Sequence, residues 1–293
     1  MHSGSPGGNL HRVEHIILTR FNVRYVDDPS ALSIGVNPEW LSHRFELFER
    51  YCLPTVLAQT EQNFRWILFF DSATPEPFAA RARNLATKRP GIYPIFCDTL
   101  SIPLIKKIIA DLLPQPPQWL LTTRLDNDDG LHPDFIATVR AAQSFEHPEV
   151  LNCLAGIIFS DGKTYLQHHK SNAFISLSEL FSDFQTIFSI PRHMDAGQSY
   201  PVRQISAQPL WLQVVHGNNI SNRVRGWRVN TARAVSGFPA RIDIPPQESS
   251  TAILAENMAF YFIRSGRDIA VKFARRLAGG IGLTLERNAG ARR

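Results

Sequence analysis

The chain has 293 residues, 44% of them apolar and 19% charged, with a formal net charge of +5. That length buries a substantial core, and the composition is ordinary for a globular protein. Three widely spaced cysteines (Cys52, Cys97 and Cys153) exclude a disulfide framework or a cysteine metal cluster, and no apolar stretch approaches the ~18 residues of a membrane span.

The chain opens on M-H-S-G-S-P-G-G-N-L, which lacks the basic start and apolar run of a signal peptide and reads as a flexible tail. His15 to Thr19 is a short apolar run, a buried first strand, with its exit loop at Thr19-Arg20-Phe21-Asn22. Leu41, Phe45, Phe48 and Cys52 recur at helical spacing, and Pro54 begins a new helical turn that runs to Gln59. Phe64 to Phe70 is dense in aromatic and aliphatic residues, as a parallel strand buried on both faces is, and it ends at Asp71. A helix over Ala79 to Lys88, a strand over Ile92 to Phe96 and an amphipathic helix over Ser101 to Leu113 follow. The strand Trp119 to Arg124 then leads into L-D-N-D-D-G-L-H-P-D, and Pro133 suits the first position of a helix reaching Phe145.

Strand and helix thus alternate with short links, which predicts an α/β fold: a mixed, mainly parallel Rossmann-like sheet with helices on both faces. In such sheets ligands bind at the carboxyl ends of strands, so Thr19 to Asn22, Asp71 and the acidic loop should share a crevice. The second half is less regular. Val150 to Phe159 reads as one or two strands, Lys163 to His169 as a hairpin partner, Ser171 to Phe188 as partly helical, and Pro191 to Tyr200 as a loop. Pro209 to Val215 is a strand ending at His216-Gly217-Asn218-Asn219. A Pro-rich link over Ala240 to Ser250 precedes a helix over Ser250 to Arg264 and a basic helix over Asp268 to Leu277.

The acidic loop puts Asp126, Asp128 and Asp129 within four positions, where they repel one another unless something positive lies among them. Its surroundings carry a resemblance. C-L-P-T-V-L-A-Q-T-E-Q-N-F-R-W-I-L-F-F-D-S, from Cys52, and L-L-T-T-R-L-D-N-D-D-G-L-H-P-D-F-I resemble nucleotide-sugar glycosyltransferases of the GT-A fold. With T-R-F-N early, R-L-D-N-D-D in the middle and H-G-N-N late, the chain looks most like the rhamnosyltransferase family, over roughly Val13 to Asn222.

The resemblance implies a metal-dependent transfer of a sugar from a nucleoside diphosphate. Bound Mn²⁺ or Mg²⁺ would neutralise the leaving diphosphate. Asp128 would be a direct metal ligand, Asp126 would contact metal or ribose, and His216 would be the late third ligand. Asp129 would support the loop or face the acceptor. Thr19, Arg20, Asn22, Asp71, Arg124 and Asn127 would frame the nucleotide sugar, with Asp71 on the base. Each also has a plain structural reading: a helix cap for the acids, a turn residue for Asp71, a satisfied turn histidine for His216, and a salt bridge to Asp126 for Arg124. For the base that deprotonates an acceptor hydroxyl, Asp195 in H-M-D-A-G is the candidate. Asp161 and Asp183 compete with it, and His193 stands in the same loop.

The expected organisation is a tail over 1–12, a glycosyltransferase domain over 13–240 and a basic helical extension over 241–293. The domain has a nucleotide half, 13–130, and an acceptor half, 131–240. The donor is expected to be a nucleoside-diphosphate sugar such as dTDP-rhamnose, and the acceptor a glycan or a lipid-linked glycan. No pattern for nucleic acid is present. The extension's arginines give either a solvated helix or a peripheral contact with an anionic membrane, on the cytoplasmic inner face. Two further readings stand beside these: a non-catalytic sugar-binding domain on the same fold, and a nucleotidyltransferase. The latter normally has a Gly-rich phosphate loop, which T-R-F-N-V-R-Y is not.

Overall fold

A computed structural model describes residues 11–25, 35–216, 224–244 and 248–261. Residues 1–10 of the expected tail over 1–12, the Gly217-Asn218-Asn219 segment and the basic helix Asp268 to Leu277 lie outside the described residues.

The parallel half forms as its apolar runs dictate. Strands β1 (Val13–Arg20), β2 (Arg65–Asp71), β3 (Ile92–Cys97) and β4 (Trp119–Arg124) pair in parallel in the order β3-β2-β1-β4. Alternation sends Ile17 to one face and Ile16 and Leu18 to the other, and both faces are buried. Helices α1 (Pro38–Leu47), α2 (Leu53–Leu57), α3 (Glu76–Arg83) and α5 (Phe135–Ala141) contribute Phe45, Val56, Ala82 and Phe135 to the first core. Helix α4 (Ile102–Leu112) covers the other face with Ile105 and Ile109. The α/β class and the helices on both faces are as the sequence predicts.

The helix expected over Trp40 to Tyr51 holds, with one local change. Its last turn, Phe48–Cys52, is a π-turn leading into α2. Pro54 has no N–H to offer the carbonyl of Arg50, and the Arg241 backbone N–H fills that place at 2.8 Å. Helix α5 starts later than expected. Pro133 precedes the Asp134 cap instead of opening the helix, and its carbonyl accepts from Thr60 N–H at 2.9 Å.

The larger departure is in the second half. The segment read as partly helical from Ser171 contains strand β9 (Ile175–Leu180), followed only by short 3₁₀ turns. Its I-S-L-S alternation is a strand period, disguised because the serines are buried too: Ser176 meets Thr123 at 2.6 Å and Ser178 accepts from Gln143 at 2.9 Å. Strand β9 runs antiparallel between β4 and β6 (Glu149–Cys153), and the unforeseen strand β10 (Val202–Ile205) closes that edge. The seven-stranded order is β10-β6-β9-β4-β1-β2-β3, with β9 alone reversed.

A second sheet, of which the hairpin of Lys163 to His169 and the strand ending at Val215 were expected and the rest was not, has the order β12-β8-β7-β11-β5. It comprises β5 (Gly130–Leu131), β7 (Ala155–Ser160), β8 (Lys163–His168), β11 (Trp211–Val215) and β12 (Trp227–Val229). Leu212 and Val214 pack with Tyr51 and Phe238 into a third small core. A short helix α6 (Ala196–Ser199) lies in the segment expected to be loop, and α7 (Thr231–Val235) follows β12. A last described helix, α8, spans 250–261. Its Asn257 side chain bonds both the N–H and the carbonyl of Arg228 on β12, covering that sheet edge as a strand would.

Candidate functional site

The chain builds β1, β2 and β3 to one side, then returns to place β4 on the other side of β1. The crevice at the carboxyl ends of β1 and β4 is therefore the switch point of the sheet, and the acidic loop emerges there.

The loop's acids part company. Asp126 keeps its carboxylate 43% exposed, 3.5 Å from Arg124 Nε. The pairing follows from strand alternation, and Asp126 holds Arg124's pKa above its ordinary value. Asp128 turns inward to 8% side-chain exposure, where its Oδ2 accepts from Arg44 Nη1 at 3.0 Å and from His216 Nε2 at 3.0 Å. Burial pushes the Asp128 carboxyl upward, but His216 and Arg44 outweigh it and the net shift is down. Asp129 is buried with its Oδ1 accepting the Val214 N–H at 2.9 Å, tying the loop to β11. Burial, then the neighbouring Asp128 and Asp126, holds its pKa well above the usual carboxylate range. Of the two roles expected for Asp129, the geometry gives it loop support.

The cation required among the acids is thus supplied in part by Arg44, which the sequence reading missed. The signal was available: Arg44 precedes Phe45 and lies three residues after Leu41, on the inward side of α1. Asn127 is buried beneath it, donating to the Phe21 carbonyl at 3.1 Å and accepting from the second Arg44 nitrogen.

The other expected residues are engaged in bonds of their own. Thr19 is fully buried inside the sheet, its hydroxyl accepting from the Trp66 indole at 2.9 Å. Arg20 is exposed, with its guanidinium 4.8 Å from the Tyr25 ring centre. Asn22 bolts the β1 exit to the end of β2: its Oδ1 accepts from Asp71 N–H at 3.1 Å and its Nδ2 donates to Thr74 at 2.9 Å. Asp71 accepts the Ala73 N–H at 2.8 Å, the turn pattern that was its plain structural reading. Asp195 is held by Arg192 through contacts of 2.7 and 3.2 Å. Gln59, the centre of the phrase that carries the resemblance, is a clamp. It donates to the His132 carbonyl at 2.8 Å and accepts from Ile136 N–H at 3.0 Å, fixing the far end of the acidic loop.

A cavity of about 760 Å³ opens beside Asp126 and Arg124, walled by Trp211, His169, His193 and Arg225. Trp211 stacks on Phe174 with ring centres 5.0 Å apart and donates to the Cys153 carbonyl at 2.9 Å. Gly156 makes this possible, because a Cβ there would lie 1.9 Å from the Trp211 ring.

Two carboxylates and an imidazole are the oxygen and nitrogen donors that Mn²⁺ or Mg²⁺ accepts. His216 Nε2 and Asp128 Oδ2 stand 3.0 Å apart as a hydrogen bond, which such an ion would have to replace. Among the described residues, however, no three such side chains converge as they stand, since Asp126 points to the cavity and Arg44 shares Asp128.

The family profile described as "Putative rhamnosyl transferase" matches residues 12–228. No curated protein matches. Among solved structures the chain is similar to S. aureus TarS 1-349, at 10% identity and a TM-score of 0.39, covering 69% of this chain and 60% of that one. The complex of TarS 1-349 with UDP-GlcNAc gives 11% identity and 0.39 over 70% and 60%. S. aureus TarS itself gives 10% and 0.40 over 70% and 37%. The chain therefore spans at most 60% of these TarS chains.

Proposed function

This chain belongs to the Putative rhamnosyl transferase family, a glycosyltransferase family, and from that premise we propose that it transfers rhamnose from a nucleoside diphosphate to a glycan or lipid-linked acceptor. One observation carries the reading. At the switch point an exposed acid–arginine pair, Asp126 and Arg124, opens onto a cavity of about 760 Å³, while Asp128 is held directly behind it by Arg44 and His216.

In this reading the diphosphate lies at the mouth of the cavity. Arg124 and Arg225, which line it, offset the phosphate charge, and Asp126 takes the ribose hydroxyls. A divalent cation held by Asp126, Asp128 and His216 would neutralise charge on the leaving diphosphate. With His216, Arg44 keeps Asp128 ionised, and it would share that carboxylate with the cation. The sugar points into the cavity, between Gln167, His169 and Gln213 that line it.

The acceptor reading extends to the membrane. No helix among the described residues is long and apolar enough to cross a bilayer. Helix α8 does expose Leu254, Met258 and Tyr261, spaced to lie along one stripe, at 60, 52 and 57%. The sequence after it carries Arg264, Arg267, Lys272, Arg275 and Arg276. An apolar stripe followed by clustered cations is what a peripheral contact with anionic lipid uses.

The test is a thermal-shift panel of nucleoside diphosphates and their sugars, with and without Mn²⁺, since a ligand of the folded state raises Tm by mass action. The expected result is selective stabilisation by dTDP-rhamnose that deepens with Mn²⁺. A flat panel would remove the donor-site reading.

A further inference from the structure

The cavity holds two histidines that the reading above leaves unused, and both are fastened to one residue. His193 Nδ1 lies 2.6 Å from the carbonyl oxygen of Ser171. A carbonyl oxygen only accepts, so Nδ1 carries the proton and, in the neutral ring, Nε2 keeps its lone pair. His169 is fastened in the opposite sense. The Ser171 N–H donates to its Nδ1 at 3.1 Å, so its ring proton sits on Nε2. No described residue hydrogen-bonds either Nε2, and both rings line the cavity, 6.4 Å apart.

The frame around them is rigid. The Ser171 hydroxyl donates to the His193 carbonyl at 2.9 Å. Asn152 and buried Asn172 both donate to the His169 carbonyl, at 3.0 and 3.2 Å. Asn172 also donates to the Cys153 carbonyl at 2.7 Å.

We infer that His193 Nε2 is the general base toward the acceptor hydroxyl and that His169 Nε2–H is the hydrogen-bond donor that orients the same acceptor. This rests on the transferase reading and assigns the acceptor side of it. His193 Nε2 takes the hydroxyl proton as that oxygen forms its bond to the sugar's anomeric carbon. The bond from that carbon to the diphosphate oxygen breaks, and its electron pair leaves with the diphosphate. His193 then returns its proton to water.

Burial first, then Arg124, lowers the His193 pKa; the Ser171 contact, Asp126 and Asp195 act against that. Burial, His193 and Arg225 lower that of His169. Both rings are therefore neutral at pH 7, the state the step requires. Asp195 serves by its charge from the Arg192 pair and not as the proton acceptor.

Two measurements on the full chain test this. In long-range ¹H–¹⁵N spectra at pH 7, His193 should show the Nδ1–H tautomer and His169 the Nε2–H tautomer; the reverse pattern, or an imidazolium at His193, overturns the assignment. In the second, release of dTDP from dTDP-rhamnose is followed with water as acceptor. His193→Ala should slow it ~100-fold or more at saturating donor. The thermal shift given by dTDP should stay unchanged, and added imidazole should restore part of the rate. Asp195→Asn should keep the rate within about threefold of the parent. A His193→Ala protein at full rate, or one that loses the dTDP shift and is not rescued, overturns the inference while leaving the transferase reading intact. If the parent chain releases no dTDP from any sugar nucleotide that stabilises it, the transferase reading fails instead, and the spectra still decide the tautomers.

Discussion

Arg44 Nη1 on α1 stands 3.0 Å from Asp128 Oδ2, across 84 positions of sequence. One carboxylate of the acidic loop is thereby paid in advance by the protein's own cation, and any metal ion must share Asp128 with it. Removing Arg44 leaves Asp128 nearly buried with, among the described residues, only His216 to face it. Breaking a buried pair this way costs about 3 kcal/mol. Arg44→Met should therefore lower Tm by several degrees, and Mn²⁺ should restore more Tm to this variant than to the parent. Equal Mn²⁺ shifts in both proteins would mean that no ion reaches Asp128.

Asp126 and Asp128 should separate experimentally. Asp126 is partly exposed and among the described residues pairs only with Arg124, so Asp126→Asn should change stability by less than about 0.5 kcal/mol in urea unfolding. It should lower donor turnover by ~100-fold or more. Asp128→Asn should lose both, because Arg44 then faces a neutral amide in a buried site. An Asp126→Asn protein with parental turnover would place the donor elsewhere.

Gly156→Ala tests the cavity wall. The new methyl meets the Trp211 ring at 1.9 Å, so the indole must move and break its bond to the Cys153 carbonyl. The expected cost is about 1–3 kcal/mol, with a red-shifted tryptophan emission as Trp211 gains water. Binding of dTDP should survive, since the residues set against the diphosphate, Arg124 and Arg225, are unchanged.

His15 makes the fold acid-sensitive. It is fully buried on β1, with Nε2 2.7 Å from Thr123 Oγ1. Burial first, and Arg140 second, lower its pKa from 6.5 to about 3. Between those values the unfolded chain binds a proton that the folded chain refuses, so stability is full above pH 6.5 and is lost as pH falls toward 3. The loss amounts to at most about 5 kcal/mol. His15→Gln should flatten the difference in urea midpoint between pH 7 and pH 5; an unchanged difference would assign the acid limb to other groups.

Vesicle sedimentation checks the membrane proposal. The full chain should pellet with vesicles containing phosphatidylserine and stay in solution with phosphatidylcholine alone, and a chain ending at Tyr261 should bind the anionic vesicles far less. Binding that survives the truncation would move the contact away from the basic segment.

The strands of the first half were legible because each centres on an apolar run between polar links, the usual composition of strands in a covered parallel sheet. Strand β9 was not, since its buried serines are satisfied by Thr123 and Gln143, partners more than 30 positions away. The second sheet was legible in part: the β7–β8 hairpin and β11 were expected, but β5 and β12 have only two and three residues, too few for a period to show.

By itself the sequence determined that this chain folds as an α/β sheet and carries an acidic loop at a strand's carboxyl end, because local composition and spacing suffice for both. Which acid meets solvent and which is buried was decided only by the tertiary structure. The Asp129 bond to Val214, and the arrival of Arg44 and His216 from 84 and 88 positions away, turn Asp128 inward and leave Asp126 at the cavity. The same holds for the two histidines. Their proton positions follow from one backbone unit, Ser171, whose carbonyl and N–H reach different rings only once the turn after β8 and the loop before α6 have packed together.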